Sequence, residues 1–303
     1  MLKKVITLEL YDALTKVGFD NIYEVRLRAG LPISIVSAGQ VYYLSANGLT
    51  YNKNKALCVD KKAIEDIIYK ASEFSIYSIA EELKQGFVVL NNGVRIGVAG
   101  NVITENGKIG TITNFSSLNI RIPHIIRGTC LPVFDYLMDK QGVFNTLIIS
   151  PPGQGKTTFL RDFAFQLSEK NFFYNVLVID ERGEIAGKDN ALSVGECCDV
   201  LAFSTKQIGF LQGIRAMNPD IIITDELGQE EDFLALKNAA SCGVKVVASI
   251  HGASIDNLKD KPYFNLIKSS FQRYVCLNPS GKAGQILGVY DQNFNPLKEW
   301  IGA

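Results

Sequence analysis

An excess of charge of either sign is the first thing this sequence lacks: 31 Lys and Arg stand against 31 Asp and Glu in 303 residues, for a formal net charge of +0. No whole-chain field therefore draws it toward nucleic acid or an anionic lipid surface. Long apolar runs are missing too, and without 18 apolar residues in a row no helical membrane span is expected. Met1, Leu2, Lys3 and Lys4 lead into Glu9 and Asp12 without the apolar core of a secretory signal, so a cytoplasmic chain is expected. Cysteine is sparse, and of the six only Cys197 and Cys198 lie close together, a spacing that fits neither a zinc site nor a thioredoxin-type pair. They read as reduced, mostly core thiols. With only 9 Pro and 26 Gly, collagen-like and low-complexity classes are excluded, while 47% hydrophobic residues is ample for a core.

The length suits about two domains at roughly 150 residues each. No internal repeat is visible at a 20 to 50 residue period. The first part mixes element types: an amphipathic stretch near 5–17, strand-like 22–28, 33–36 and 40–44, and helical patterning across 61–83. After Lys84, Gln85 and Gly86 come short β runs at 87–90, 94–98 and 118–122. This predicts a smaller α+β domain over residues 1–142. From about residue 143 the strands at 146–149, 176–179, 221–223 and 244–250 are apolar throughout and alternate with helices. Strands buried on both faces lose polar alternation, so residues 143–303 are expected to form an α/β domain, a parallel sheet with helices on both faces. The boundary is expected at 138–143, where Asp139, Lys140, Gln141 and Gly142 separate a short helix from the first apolar strand.

Directly after Leu147, Ile148 and Ile149 comes Ser150-Pro151-Pro152-Gly153-Gln154-Gly155-Lys156-Thr157-Thr158, followed by a helical pattern with Phe159, Leu160, Phe163 and Leu167. A strand, a glycine loop and a helix N-terminus in this order bring backbone N–H groups together around a phosphate. Lys156 is then expected to reach the β- and γ-phosphates of ATP, and Thr157 to ligate Mg²⁺. Ser150 stands where the G-x-x-x-x-G-K-[ST] pattern has its first glycine, but Gly153 and Gly155 keep close backbone approach possible.

Two apolar strands end in acidic pairs, Asp180-Glu181 and Asp225-Glu226. Ligands of open parallel sheets sit beyond the carboxyl ends of the strands, so both pairs are expected in the crevice of the phosphate loop. Asp225 is the candidate for the Mg²⁺ shell, Glu226 for orienting and polarising the attacking water, and Asp180 with Glu181 for a further acidic group near both. Carboxylates at strand ends also commonly cap the turn that follows. His251, one of two histidines, follows the 244–250 strand just before Gly252 and is a candidate γ-phosphate sensor.

Together, the loop, Asp180-Glu181-Arg182-Gly183-Glu184-Ile185-Ala186-Gly187, Arg215-Ala216-Met217-Asn218-Pro219-Asp220, Asp225-Glu226-Leu227-Gly228 and Ile250-His251-Gly252 resemble the stage III sporulation protein AA family of endospore-forming bacteria. That family is related to the type II and type IV secretion ATPases. Glu24-Val25-Arg26-Leu27-Arg28 and Asn92-Gly93-Val94-Arg95-Ile96-Gly97-Val98-Ala99-Gly100 resemble its N-terminal domain. The resemblance implies a RecA-like P-loop ATPase of the mother cell, acting with a membrane-embedded sporulation complex that connects to the forespore. It further implies a ring homo-oligomer, a hexamer by its secretion relatives, reaching the membrane through a partner. Asp180 to Glu184 would match the acidic box, Asp225 and Glu226 the Walker B segment, and His251 the histidine box. Secretion ATPases have glycine before the Walker B glutamate; Asp225 stands there instead, which leaves the division of labour between Asp225 and Glu226 open. Ring ATPases add an arginine as the γ-phosphate gains charge. Of nine arginines, Arg121 and Arg127 follow the last N-domain strand, and Arg121 is the candidate.

Two other classes fit parts of the pattern: a nucleotide-dependent module that binds nucleic acid, and a scaffold that holds ATP with little hydrolysis. Balanced charge and the lack of a Lys/Arg-rich stretch weigh against the first. The intact acidic pairs weigh against the second.

Overall fold

Two large sheets organise the chain, one in each of its units, Met1–His124 and Ile125–Ala303. The computed structural model describes residues 2–91, 93–105, 107–170, 173–187 and 192–300; Asn92 of the N-terminal motif lies outside them.

In the first unit, α1 (Leu2–Val5) and α2 (Leu8–Val17) precede β1 (Glu24–Arg28), β2 (Ser34–Ser37), β3 (Gln40–Ser45) and β4 (Gly48–Thr50). Then come α3 (Lys61–Ala71), α4 (Ala80–Lys84), β5 (Phe87–Val89), β6 (Arg95–Glu105) and β7 (Lys108–Arg121). The sheet is antiparallel in the order β4-β3-β2-β1-β7-β6-β5. Asp60 starts α3 by accepting a hydrogen bond from the Ala63 N–H at 2.7 Å, and Ile64, Ile67 and Ile68 form its buried stripe. The helix expected over 61–83 is broken. The Ser72 hydroxyl bonds the Tyr69 carbonyl, and Ser78 bonds the carbonyls of Ser72 and Ser75, so serines take helical acceptors. Glu73 and Phe74 turn left-handed at φ 51° and 68° between the two pieces.

In the second unit a small hairpin, β8 (Met138–Asp139) and β9 (Gly142–Val143), precedes β10 (Thr146–Ser150), α5 (Lys156–Glu169), β11 (Val176–Asp180) and β12 (Cys198–Ala202). These are followed by α6 (Lys206–Met217), β13 (Ile221–Thr224), α7 (Glu230–Ser241), β14 (Lys245–His251), α8 (Asp256–Lys259) and α9 (Phe264–Ser270). β15 (Arg273–Leu277), β16 (Ile286–Asp291) and β17 (Pro296–Glu299) complete it. The large sheet runs β12-β11-β13-β14-β10-β15-β16-β17, parallel through β15 and antiparallel beyond.

The unbroken apolar strands have the expected reason. Ile148, Val178, Ile223 and Val247 pack with Phe159 and Phe163 of α5. Their neighbours Leu147, Leu177, Ile222 and Val246 pack on the other face with Phe210 of α6 and Phe233 of α7. Gly209 and Gly213 let α6 lie close on β11: a Cβ at these positions would stand 2.7 Å from Ile179 Cγ2 and 2.2 Å from Leu177 Cδ2. Four strands that periodicity did not predict, β12 and β15 to β17, extend the sheet.

The division between units falls at His124/Ile125, where 142/143 was expected. Cys130, Val133, Phe134 and Leu137 are buried in the α5 core, with the Phe134 and Phe163 rings 5.3 Å apart. The 138–143 segment is the β8–β9 hairpin, closed by Asp139 Oδ1 accepting from the N–H groups of Gln141 and Gly142. Buried Asp162 on α5 accepts from the Gly128 and Cys130 N–H groups, both at 2.9 Å, and from the Thr129 hydroxyl. All six cysteines are free, but only Cys130 and Cys276 are buried; Cys58 and Cys242 are exposed, against the expected mostly core placement. Among the described residues no helix is long and apolar enough to cross a membrane.

Removing Asp162 strands two backbone donors in an apolar setting. Asp162→Ala is expected to lower the stability of the second unit by about 2 to 4 kcal/mol, read as a drop in its denaturation midpoint in urea.

Candidate active site

Strand order places the site. In the adjacent strands β11, β13, β14 and β10, Ile179 pairs with Thr224, Thr224 with Ala248, and Ser150 with His251. Each carboxyl end delivers its next residues to one crevice, so Asp180, Asp225-Glu226, His251 and the 150–158 loop arrive side by side.

Ser150 closes β10 fully buried, and its hydroxyl donates to the Pro151 carbonyl. Pro152 and Gly153 are exposed; Pro151, Gln154, Thr157 and Thr158 are half-buried. Gly155 caps α5 at φ +93°, and a Cβ there would sit 2.9 Å from Gly284 N. Only glycine meets both demands. With no side-chain cap at Gly155, the first N–H groups of α5 form an electropositive end beside the loop.

Lys156 is 6% exposed, and burial lowers its pKa, against an upward pull from Glu226 and Asp225. Its Nζ donates to the carbonyls of Ser150 at 2.9 Å and Pro151 at 3.0 Å, and stands 3.1 Å from His251 Nδ1. On the far side of the ring, His251 Nε2 lies 3.1 Å from Glu226 Oε1. An ammonium can only donate, so Nδ1 accepts and Nε2 carries the hydrogen given to Glu226.

Glu226 is held at φ 43°, a left-handed conformation unusual outside glycine. Buried Ser249 secures it: its hydroxyl accepts from the Glu226 N–H at 3.0 Å and its carbonyl from the Leu227 N–H at 2.8 Å. Arg182 Nη1 pairs with Glu226 Oε2 at 2.9 Å. Beside these lies a cleft of about 540 Å³ lined by Glu181, Arg182, Lys206, Glu226 and His251 among others.

The carboxylates divide sharply. Asp180, expected near the metal, is fully buried and accepts three backbone N–H bonds, from Glu184 at 2.8 Å, Ile185 at 3.0 Å and Ala186 at 2.8 Å. It shapes the 181–187 loop, the capping role open to any strand-end carboxylate. Arg161 of α5 holds the same loop by its carbonyls, donating to Ile185 at 2.7 Å and Glu184 at 2.6 Å. Glu181 pairs with Lys206 of α6. Asp225 is 2% exposed, and its Oδ2 has no hydrogen-bond partner among the described residues. Burial, with Asp180 nearby, pushes its pKa up to about 7.

That orphaned oxygen fits a hard cation or a water bound to one. Among the described residues no three His, Cys, Asp or Glu side chains form a metal cage. Magnesium takes one or two protein oxygens and completes its shell with phosphates and water, so Thr157 and Asp225 suit it where a cage-bound metal would not fit.

Arg121 belongs to the first unit, at the end of β7, with its guanidinium 3.3 Å from Glu24. Arg127 belongs to the second, donating to the Ser193 carbonyl and stacking over the Phe165 ring. Sequence reasoning gave no role to Arg182, Lys206, Ser249 or Arg161. Arg182 follows the acidic pair directly and was open to notice; Arg161 and Ser249 share elements with Lys156 and His251, but their partners, like that of Lys206, lie far along the chain and leave no local signal.

A phosphate loop and acidic strand ends on a parallel sheet covered on both faces define a RecA-like P-loop NTPase fold. Two solved structures share it: the pilus retraction motor PilT with bound ADP (TM-score 0.58, 16% identity, 89% of this chain and 77% of that one) and the ATPase DotB of Yersinia pseudotuberculosis (TM-score 0.59, 14% identity, 90% and 76%). The chain belongs to the family described as Sporulation stage III, protein AA, whose model matches residues 2–297. It is 37% identical over 290 residues to stage III sporulation protein AA of Bacillus subtilis (strain 168), covering 93% of this chain and 91% of that protein.

The Asp225 pKa carries a pH signature. With about 7 in the folded chain against an ordinary 3.8, the native state holds a proton that the unfolded state lacks across this window, so stability falls as pH rises through it. Asp225→Asn removes the effect. The variant's stability relative to the metal-free parent is expected to rise by about 3 kcal/mol between pH 5 and pH 8, measured by denaturant titration at each pH.

Proposed function

We propose that the chain is an ATPase that binds ATP with magnesium at the 150–158 loop and hydrolyses it. The line from Lys156 through His251 to Glu226, beside the unpartnered Asp225 oxygen, carries this reading. Lys156 exchanges the Ser150 and Pro151 carbonyls for β- and γ-phosphoryl oxygens, and the N–H groups of the loop and α5 take further charge. Thr157 and Asp225 would hold magnesium, which would supply neutralisation of phosphate charge. Once Lys156 leaves Nδ1, His251 is free to turn to the γ-phosphate.

Glu226 then orients and polarises the attacking water, which requires its carboxylate to come away from Arg182. Glu181 remains a second acid on the cleft, tied to Lys206. Arg121, paired with Glu24, is kept as the candidate arginine for the growing γ-phosphate charge. Membership in the sporulation family supports a wider reading: a cytoplasmic ring homo-oligomer, a hexamer, that powers or assembles a membrane-embedded complex between mother cell and forespore.

Lys156→Ala is expected to abolish ATP binding in calorimetry. Glu226→Gln is expected to bind ATP nearly as the parent does while releasing phosphate at least about 100-fold more slowly. Parental turnover in Glu226→Gln would exclude that residue from the chemistry.

A further inference from the structure

The sheet of the first unit has one apolar face and one charged face. Val25, Leu27, Leu118 and Ile120 point to the core that α1 to α4 cover. Residues between them point the opposite way, and the register sets them in rows. Glu24 stands beside Arg121 and Arg121 beside Arg95; Arg26 stands beside Asn119 and Asn119 beside Gly97; Arg28 lies one row further along β1.

Four guanidiniums on these rows meet a single carboxylate. The chain's 31 basic residues include only nine arginines, yet four of the nine stand here and no lysine does. Lysine would solvate a surface equally well, whereas the planar fork of arginine matches an oxyanion with paired hydrogen bonds. Glu24 is already occupied: Oε2 accepts from Arg26 Nε at 3.0 Å and Nη2 at 2.7 Å, and Oε1 faces Arg121 Nε at 3.3 Å. Arg26 keeps its Nη1 donors, and Arg28 is exposed with no acidic partner among the described residues. Arg95 stacks over the Phe87 ring at 3.7 Å.

Among these donors sits one unused acceptor. Asn119 gives its amide nitrogen to Glu24 at 3.5 Å, and a carboxylate only accepts, so the amide orientation is fixed. Its Oδ1 is buried without a hydrogen-bond partner among the described residues. A ligand for this face therefore brings oxyanions together with an N–H donor. The phosphodiester backbone of nucleic acid has no N–H, and a chain of balanced charge offers a polyanion no long-range attraction. An extended acidic peptide has both groups, with carboxylates on alternate residues and backbone N–H groups between them. Its alternate side chains repeat at roughly 6.6 Å, the spacing of Arg26 and Arg28 along β1.

We propose that this face docks an extended acidic segment of a partner protein, with Arg26 Nη1 and Arg28 taking carboxylates two residues apart and Asn119 Oδ1 taking a peptide N–H. Arg121 stays with Glu24, and the proposal does not depend on the nucleotide reading.

The full chain is titrated, by fluorescence anisotropy at about 0.15 M salt, with a labelled peptide of alternating glutamate and threonine about eight residues long. Its glutamine counterpart and a single-stranded DNA of similar length serve as comparisons. The glutamate peptide is expected to bind at least about 10-fold more tightly than either, and Arg28→Glu to weaken it at least about 10-fold. Arg28→Lys, which keeps the charge without the fork, should bind between the parent and Arg28→Glu. An unchanged midpoint in urea shows that each variant has folded; should Arg28→Glu shift it, the same loss in Arg28→Ala decides. Equal binding of the glutamine peptide, parental affinity in the folded Arg28 variant, or no binding of the glutamate peptide overturns the proposal. DNA bound as tightly as the glutamate peptide overturns it in favour of nucleic acid. A parent that ignores the peptide but changes oligomeric state on Arg28→Glu, read by sedimentation, overturns it in favour of a contact between copies.

Discussion

A buried ammonium has to find acceptors, and Lys156 organises its surroundings for that reason. Held at 6% exposure, it takes two carbonyls from its own loop and a ring nitrogen from the neighbouring strand. The third acceptor exists because Ser150 and His251 are partners in the β10–β14 ladder. The same strand supplies Ser249, two residues earlier, whose hydroxyl and carbonyl seat Glu226 and Leu227. One strand thus sets the imidazole on the lysine and the backbone of the glutamate. In the proposed reading, a phosphate arriving at Lys156 would meet a cation already desolvated, one imidazole away from Glu226.

Carboxylates in this unit separate by what occupies them. Asp180 and Asp162 are both fully buried and both engaged by backbone N–H groups, and each fixes a loop. Asp225 is nearly as deeply placed and keeps an oxygen without a partner among the described residues. Saturated buried acids stabilise structure, whereas a buried acid with spare acceptor capacity carries a desolvation cost that its own fold does not offset. The 181–187 loop is gripped by its N–H groups from Asp180 and by its carbonyls from Arg161, so the lysine helix and β11 fix its shape together. Arg182 extends from this loop to Glu226, which links loop shape to the position of the proposed water-orienting acid.

Much of this was open to local reading. The phosphate loop, the two acidic strand ends and the sheet buried on both faces follow from runs of a few residues, because strand burial and phosphate cradling depend on neighbours in sequence. The first unit was less legible. Serines at 72 and 78 end a helix that periodicity carries to residue 83, since a hydroxyl competes for carbonyls in a way apolar spacing does not register. Residues 125–142 looked like the tail of the first domain until Cys130, Val133 and Phe134 met Phe159 and Phe163 in a common core.

The sequence alone determined where the strand, glycine turn and helix start of a phosphate loop lie and which acids stand near it, because such a unit is built from contiguous residues. Only the tertiary structure decided what each acid does. Asp180 and Asp225 occupy equivalent strand ends, yet one meets three amides of a folded loop while the other keeps Oδ2 without a partner among the described residues. Lys206 and Gly284 reach the site from elements distant along the chain, Arg161 reaches from the lysine's own helix to a loop beyond β11, and these contacts exist only after the sheet has set its strand order. Which hydrogen bonds remain for a buried carboxylate is settled by the backbone packed around it, and no short stretch of residues encodes that.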